Sequence, residues 1–168
     1  PKVRVVMGNH EWNFLQLKSV EQGLANPDLA KTTALLQKRW TTYFELMASW
    51  PSYIETQDWI MVHAGLWPDP DPEKTPLKQR LKLRTLPREA GGLELEGQPW
   101  YHHHHGHKMV IFGHWATNGL VHHGRMRGLD SGCVYGGRLS ALVLPEDEII
   151  SVPARQLWYD PIREKECW

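Results

Sequence analysis

Cysteine is nearly absent from this sequence: Cys133 and Cys167 are the two. Thiols so placed make neither a disulfide framework nor a CxxC metal knuckle, which excludes a disulfide-stapled scaffold and fits a reducing compartment. Net charge is missing as well. The 19 Lys and Arg residues balance 19 Asp and Glu residues, which excludes a generally basic nucleic-acid coat and an acidic tail. No apolar run approaches the ~20 residues needed to span a bilayer. The chain opens Pro1-Lys2-Val3, without an initiator Met; an incomplete N-terminus and a cytoplasmic protein without a secretory leader are expected. No repeat is visible, and His102 to His105 is the sole low-complexity tract.

What is present suits one packed domain: 168 residues, 41% of them hydrophobic, with 10 His and 9 Trp. The β-branched run Val3 to Met7 predicts a buried strand. Trp12, Leu15 and Leu17 predict a helix from Glu11 to about Gly23. Leu35, Leu36, Trp40, Tyr43, Phe44 and Met47 recur at three and four and predict a second, from about Asp28 to Ser49, which Pro51 ends. Trp59 to Val62 and Met109 to Phe112 predict two further strands. Lys78 to Thr85 predicts a short basic helix, and residues 87–99 a surface loop. Later β structure is expected at Leu120 to His122, Arg138 to Leu144 and Glu148 to Val152.

One arrangement occurs three times. An apolar run ends, and a turn of small residues presents a metal-capable side chain: Asn9 and His10 after VRVVM, His63 after WIMV, and His114 after MVIF. Ligands in open α/β sheets collect beyond the carboxyl ends of strands, so three such ends can converge on one point. Two imidazoles and an amide oxygen suit Mn, Fe or Zn better than Ca.

The segments GNHE, VHAG and FGHWA, followed by GLDSGCVYGGRLSALVLP, resemble the calcineurin-like metallophosphoesterases. The similarity is greatest to the branch shared by phosphoprotein phosphatases and symmetrical diadenosine tetraphosphatases, and the late block resembles the tetraphosphatase side. The resemblance implies an α/β fold, a β-sandwich flanked by helices, here without its first strands. It implies a metallophosphoesterase domain over residues 1–154, lacking the GDxHG and GDxxDRG motifs that the family places upstream of GNHE, and a tail over 155–168. It implies two divalent metal ions (Mn, Fe or Zn), of which this chain would hold at most the second-metal half site through Asn9, His63 and His114. His10 matches the general acid that protonates the leaving oxygen. The implied substrate is a dinucleoside polyphosphate or a phosphoprotein, with no nucleic-acid or membrane partner. This chain by itself is then expected to be inactive. A non-catalytic fragment or pseudo-enzyme that only binds is the alternative of another class.

Arginines are candidates for gripping phosphate, because the guanidinium forks onto phosphate oxygens. Arg80 and Arg84, at i and i+4 on the short basic helix, are the chosen pair. Arg88, Arg125, Arg127 and Arg138 are either further contacts or solvated surface. Tyr135 either sits at the rim of the site or belongs to a turn shaped by Gly132, Gly136 and Gly137. His102 to His105, with His107, is either a metal tract or an exposed loop, and His122 and His123 flank a surface turn. Cys133 reads as a buried small hydrophobe. The tryptophans read as packing, with Trp67 and Trp115 able to line the pocket.

Overall fold

A computed structural model of the chain describes residues 3–27, 29–86 and 97–160. Asp28, Arg88, Cys167, Trp168 and most of the 87–99 loop lie outside the described residues. In chain order the elements are α1 (Asn9–Leu15), α2 (Val20–Ala25), α3 (Ala30–Leu36), a 3-10 turn at Gln37–Arg39, α4 (Trp40–Ala48), β1 (Tyr53–Glu55) and β2 (Trp59–Val62). Then follow α5 (Leu77–Lys82), β3 (Thr85–Leu86), β4 (Gln98–Pro99), β5 (Met109–Phe112), β6 (Val121–His123), β7 (Met126–Gly128), β8 (Arg138–Val143) and β9 (Glu148–Pro153).

Five strands form one mixed sheet in the order β1-β2-β5-β7-β6. β2, β5 and β7 run parallel, and the outer strands β1 and β6 are antiparallel to their neighbours. The central strands WIMV and MVIF carry apolar side chains on both faces, as parallel strands covered on two sides require. Ile60, Val62, Leu66, Leu83, Val110 and Trp100 are each no more than 1% exposed and form the main core. Fully burying one such aliphatic side chain contributes ~1.5–3 kcal/mol. A second core of Phe14, Leu17, Leu29 and Met47 joins α1 and α4 to the segments beside α2 and α3, and in it Phe14 packs on Trp40 at 4.8 Å. Two hairpins complete the fold: β3 with β4, and β8 with β9. This is the expected mixed α/β architecture.

Several local expectations change. Residues 3–8 form no strand, although they are β-branched. Met7 N–H donates to the Pro51 carbonyl at 2.8 Å, but one backbone bond is not a ladder, and Val3, Arg4 and Val5 are exposed. The first expected helix is two short ones, α1 and α2, broken between Gln16 and Ser19. The second is interrupted where Arg39 leaves the helical region at φ −131°, ψ 31°. The basic helix ends at Lys82, and Leu83 turns extended, so Arg80 and Arg84 do not share a helix face. Within the expected 87–99 loop, Gln98–Pro99 pairs with Thr85–Leu86. β1 and β7 were not anticipated.

Candidate metal centre

Asn9, His63 and His114 are brought together by three different elements. Asn9 opens α1. His63 follows β2, and His114 lies two residues beyond β5, the strand beside β2 in the sheet. The two strand ends are stitched where Gly113 N–H donates to the His63 carbonyl at 2.9 Å. Within GNHE, the Glu11 carboxylate accepts the Gly8 N–H at 3.0 Å, which closes the first turn of α1. Gly8 leaves room for both neighbours. A Cβ there would fall 2.6 Å from Glu11 Oε2 and 3.1 Å from the His63 ring. His114 takes φ +68°, a left-handed conformation that costs a non-glycine residue about 1–3 kcal/mol and is concentrated at functional sites.

The donor atoms face one another. His63 Nε2 lies 2.8 Å from Asn9 Oδ1 and 3.2 Å from His114 Nδ1, and His114 Nδ1 lies 3.2 Å from Asn9 Oδ1. Two neutral rings bring at most two N–H groups to these three contacts, so the triangle cannot be fully satisfied by hydrogen bonds. A cation satisfies it. Ligands about 2.1 Å from a shared ion at right angles lie about 3.0 Å apart, which matches these separations. The donor set, two nitrogens and one oxygen, therefore fits a borderline divalent metal in both chemistry and spacing. Among the described residues, no group of three or more His, Cys, Asp or Glu side chains gathers to hold a metal.

Burial, with nearby charge, disfavours protonation of both imidazoles. Burial lowers the pKa of His63 below the ordinary histidine value, and His10 adds to this against the opposing pull of Glu11 and Asp130. His114 is pushed down to about 3, first by burial and then by the positive charge of His63, Arg84, His10 and Lys82. A neutral imidazole keeps the lone pair that a metal needs.

The remaining candidates are distributed differently. His10 is exposed on the first turn of α1, close enough to act on both half-buried imidazoles. Arg84 acts on His114 and has a buried Nε without a hydrogen-bond partner. Arg80 is occupied elsewhere. Its Nη1 donates to the Pro72 carbonyl at 2.9 Å and its guanidinium lies 5.3 Å over the Tyr53 ring. Arg127 is neither solvated nor free for phosphate: it is 4% exposed, paired with Asp147, and bonded to the Gly124 and Met126 carbonyls. Tyr135 packs edge-on against Tyr159 at 5.9 Å, and Gly132 and Gly136 take positive φ on either side of the 3-10 turn Cys133–Tyr135. Cys133 is half-buried rather than buried. Trp67 and Trp115 pack against the main core, and Trp100 lies within it. His102, His105 and His107 are exposed, but His104 is buried, so the tract is not a uniformly exposed loop. Sequence reading missed Glu11, Lys82 and Asp130, which surround the two imidazoles electrostatically. The Glu in GNHE was the one available signal.

Comparison with known proteins supplies independent findings. No protein-family model matches the chain. A bis(5'-nucleosyl)-tetraphosphatase PrpE, of the asymmetrical type, from Oceanobacillus iheyensis is 30% identical over 125 residues, which is 68% of this chain and 47% of that protein. A symmetrical bis(5'-nucleosyl)-tetraphosphatase from Ralstonia nicotianae is 43% identical over 60 residues, 33% of this chain and 21% of that protein. The chain thus spans about half the length, or less, of the curated relatives it matches. A crystal structure of a protein provisionally named a diadenosine tetraphosphatase superposes with a TM-score of 0.76 at 32% identity, covering 90% of this chain and 68% of that one.

Proposed function

This chain belongs to the calcineurin-like metallophosphoesterase family, and from that premise we propose that the protein is a metal-dependent phosphoesterase. Its substrate in this reading is a dinucleoside tetraphosphate, cleaved at a phosphoanhydride bond. The observation that carries the proposal is the triangle of Asn9 Oδ1, His63 Nε2 and His114 Nδ1, closed to within 3.2 Å. The tetraphosphatase names borne by the relatives support the substrate class. Asn9, His63 and His114 would hold the second of two divalent ions, Mn, Fe or Zn. Bound there, that ion would supply positive charge to the phosphoryl oxygens and acidify water. The half-buried imidazoles, whose pKa values are lowered, give their lone pairs to the site. Exposed His10 reaches solvent and substrate from the helix start, and hands a proton to the leaving oxygen. Arg84, whose charge already bears on His114, takes a phosphate oxygen. Arg80, committed to Pro72 and Tyr53, does not. A cytoplasmic location belongs to the same proposal and agrees with the free thiol of Cys133.

The test is an assay of the protein carrying its family's upstream GDxHG and GDxxDRG motifs, with Mn²⁺, on diadenosine tetraphosphate and on a phosphopeptide. Dinucleotide hydrolysis that falls at least a hundredfold in His10→Gln is expected. Products separate the two kinds of relative: two ADP for symmetrical cleavage, ATP and AMP for asymmetrical. Turnover of the phosphopeptide alone would overturn the substrate, and metal binding without turnover of either would leave a binding protein.

A further inference from the structure

Lys82 and Arg84 stand on either side of the turn that ends α5. Leu83 between them is extended and buried. Side chains alternate along extended backbone, so with Leu83 in the core its two neighbours project to the opposite side, where both are half-exposed. Both cations bear on His114, Arg84 more strongly than Lys82. Among the described residues no carboxylate pairs with either, and the Arg84 Nε is buried without a hydrogen-bond partner. Two unanswered cations beside a centre that itself fits a cation repel one another, and an anion of several charges relieves that repulsion. Trp12 stands against the pair. It lies one turn along α1 from Asn9, and residues three apart share a helix face, so its side chain leaves the helix on the side that carries the centre. The indole is half-exposed and belongs to neither apolar core. Lys82 Nζ lies 5.8 Å from the centre of its ring, near the outer limit of ~6 Å for a cation–π contact. At that separation the ammonium is weakly held, and a phosphate can draw it away.

We propose that Trp12 and Lys82 form a nucleobase subsite beside the metal centre: the indole stacks on the base of a nucleoside polyphosphate, and Lys82, with Arg84, holds the phosphates between base and metal. The ligand class rests on the phosphoesterase reading above, and the subsite adds how the far end of that ligand is recognised. Outward from the metal ligands the groups run Arg84, Lys82, Trp12. Outward from a scissile phosphate a nucleoside polyphosphate runs phosphate, phosphate, base. An aromatic face accepts any base by stacking, so this subsite selects nucleotides over simple phosphate esters and discriminates little among bases.

Equilibrium binding to the full chain with Mn²⁺, using ATP and inorganic tripolyphosphate as probes, tests the subsite without turnover. Trp12→Leu should weaken ATP at least about fivefold, the smallest contribution of a stacked base, and leave tripolyphosphate unchanged. Trp12→Phe should keep most of the ATP affinity. Lys82→Gln should weaken both probes at least about threefold, and Lys82→Arg should retain them. Circular dichroism shows whether Trp12→Leu folds. If it does not, ¹⁹F spectra of the fluorotryptophan-labelled parent decide, in which ATP but not tripolyphosphate should shift the Trp12 resonance. ATP affinity that survives Trp12→Leu, an equal loss of both probes in that variant, an unshifted resonance, or no effect of Lys82→Gln would overturn the subsite. Binding of the expected pattern beside a failed hydrolysis assay would instead strike the phosphoesterase reading and keep the subsite.

Discussion

At the scale of single residues, the candidate centre depends on two imidazoles being kept neutral. Both have pKa values lowered by burial, that of His114 to about 3. In the unfolded chain the same rings take up protons below their ordinary value of about 6.5. Between those limits the unfolded state binds more protons, so stability is complete above about 6.5 and declines as pH falls toward 3. Urea midpoints of the metal-free chain at pH 7 and pH 5 should therefore differ, and His114→Asn should shrink the difference. Asn also tolerates positive φ. That variant is thus expected to fold while binding Mn²⁺ at least tenfold more weakly by calorimetry; undiminished binding would remove His114 from the ligand set. Asn9, His63 and His114 were legible in the sequence because each sits in a small-residue turn just after an apolar run. Arg84 was legible as a residue type, but its grouping with Arg80 was not. The turn at Leu83 separates them, and no periodicity announces it.

At the scale of elements, β7 shows why short strands escape sequence reading. Met126-Arg127-Gly128 has a charged centre and a glycine end, and it is a strand because β5 and β6 pair with it on either side. Its arginine is buried by the fold and answered by Asp147, on the turn between β8 and β9. The bond from Arg127 holds the Asp147 carboxyl below its ordinary value. The pair's contribution is therefore present above the normal carboxylate range and lost as pH falls through the depressed value. Asp147→Asn leaves Arg127 buried without its counter-charge, and should lower the melting temperature and flatten its acid dependence. Gly65 makes a second element-scale prediction. A Cβ there would lie 2.7 Å from the buried Trp100 indole, so Gly65→Ala should cost about 1–3 kcal/mol in denaturant unfolding. The strands β2, β5, β8 and β9 were readable from their apolar runs. VRVVM was equally apolar, and it forms no strand here because nothing among the described residues pairs with it beyond the single bond at Met7.

At the scale of the whole molecule, the β8–β9 hairpin turns an apolar face outward. The register sets Leu139 opposite Val152 and Ala141 opposite Ile150, all exposed, with Leu139 at 62% and Val152 at 59%. The other face holds a line of hydroxyls, Ser131 to Ser140 to Ser151, at 2.5 and 2.7 Å. An exposed apolar face on a two-stranded sheet is prone to self-association. Light scattering of this chain should report oligomers that grow with concentration, and Ile150→Lys should reduce them. A monodisperse parent chain would show that the face is harmless.

The bond between Gly113 and the His63 carbonyl has a different kind of consequence. It fixes the separation of the two imidazoles by the spacing of adjacent parallel strands, a constant of every sheet. The long excursion between those strands, from the proline-rich turn through α5 to the histidine tract, meets them through the Ala64 N–H bond to the Arg80 carbonyl and through the core at Leu83 and Trp100. The surface turns of that excursion can therefore vary in length and chemistry without changing this distance, whereas Lys82 and Arg84, which act on His114, and the core residues Leu83 and Trp100 cannot vary so freely. A protein engineer has the same freedom at those turns.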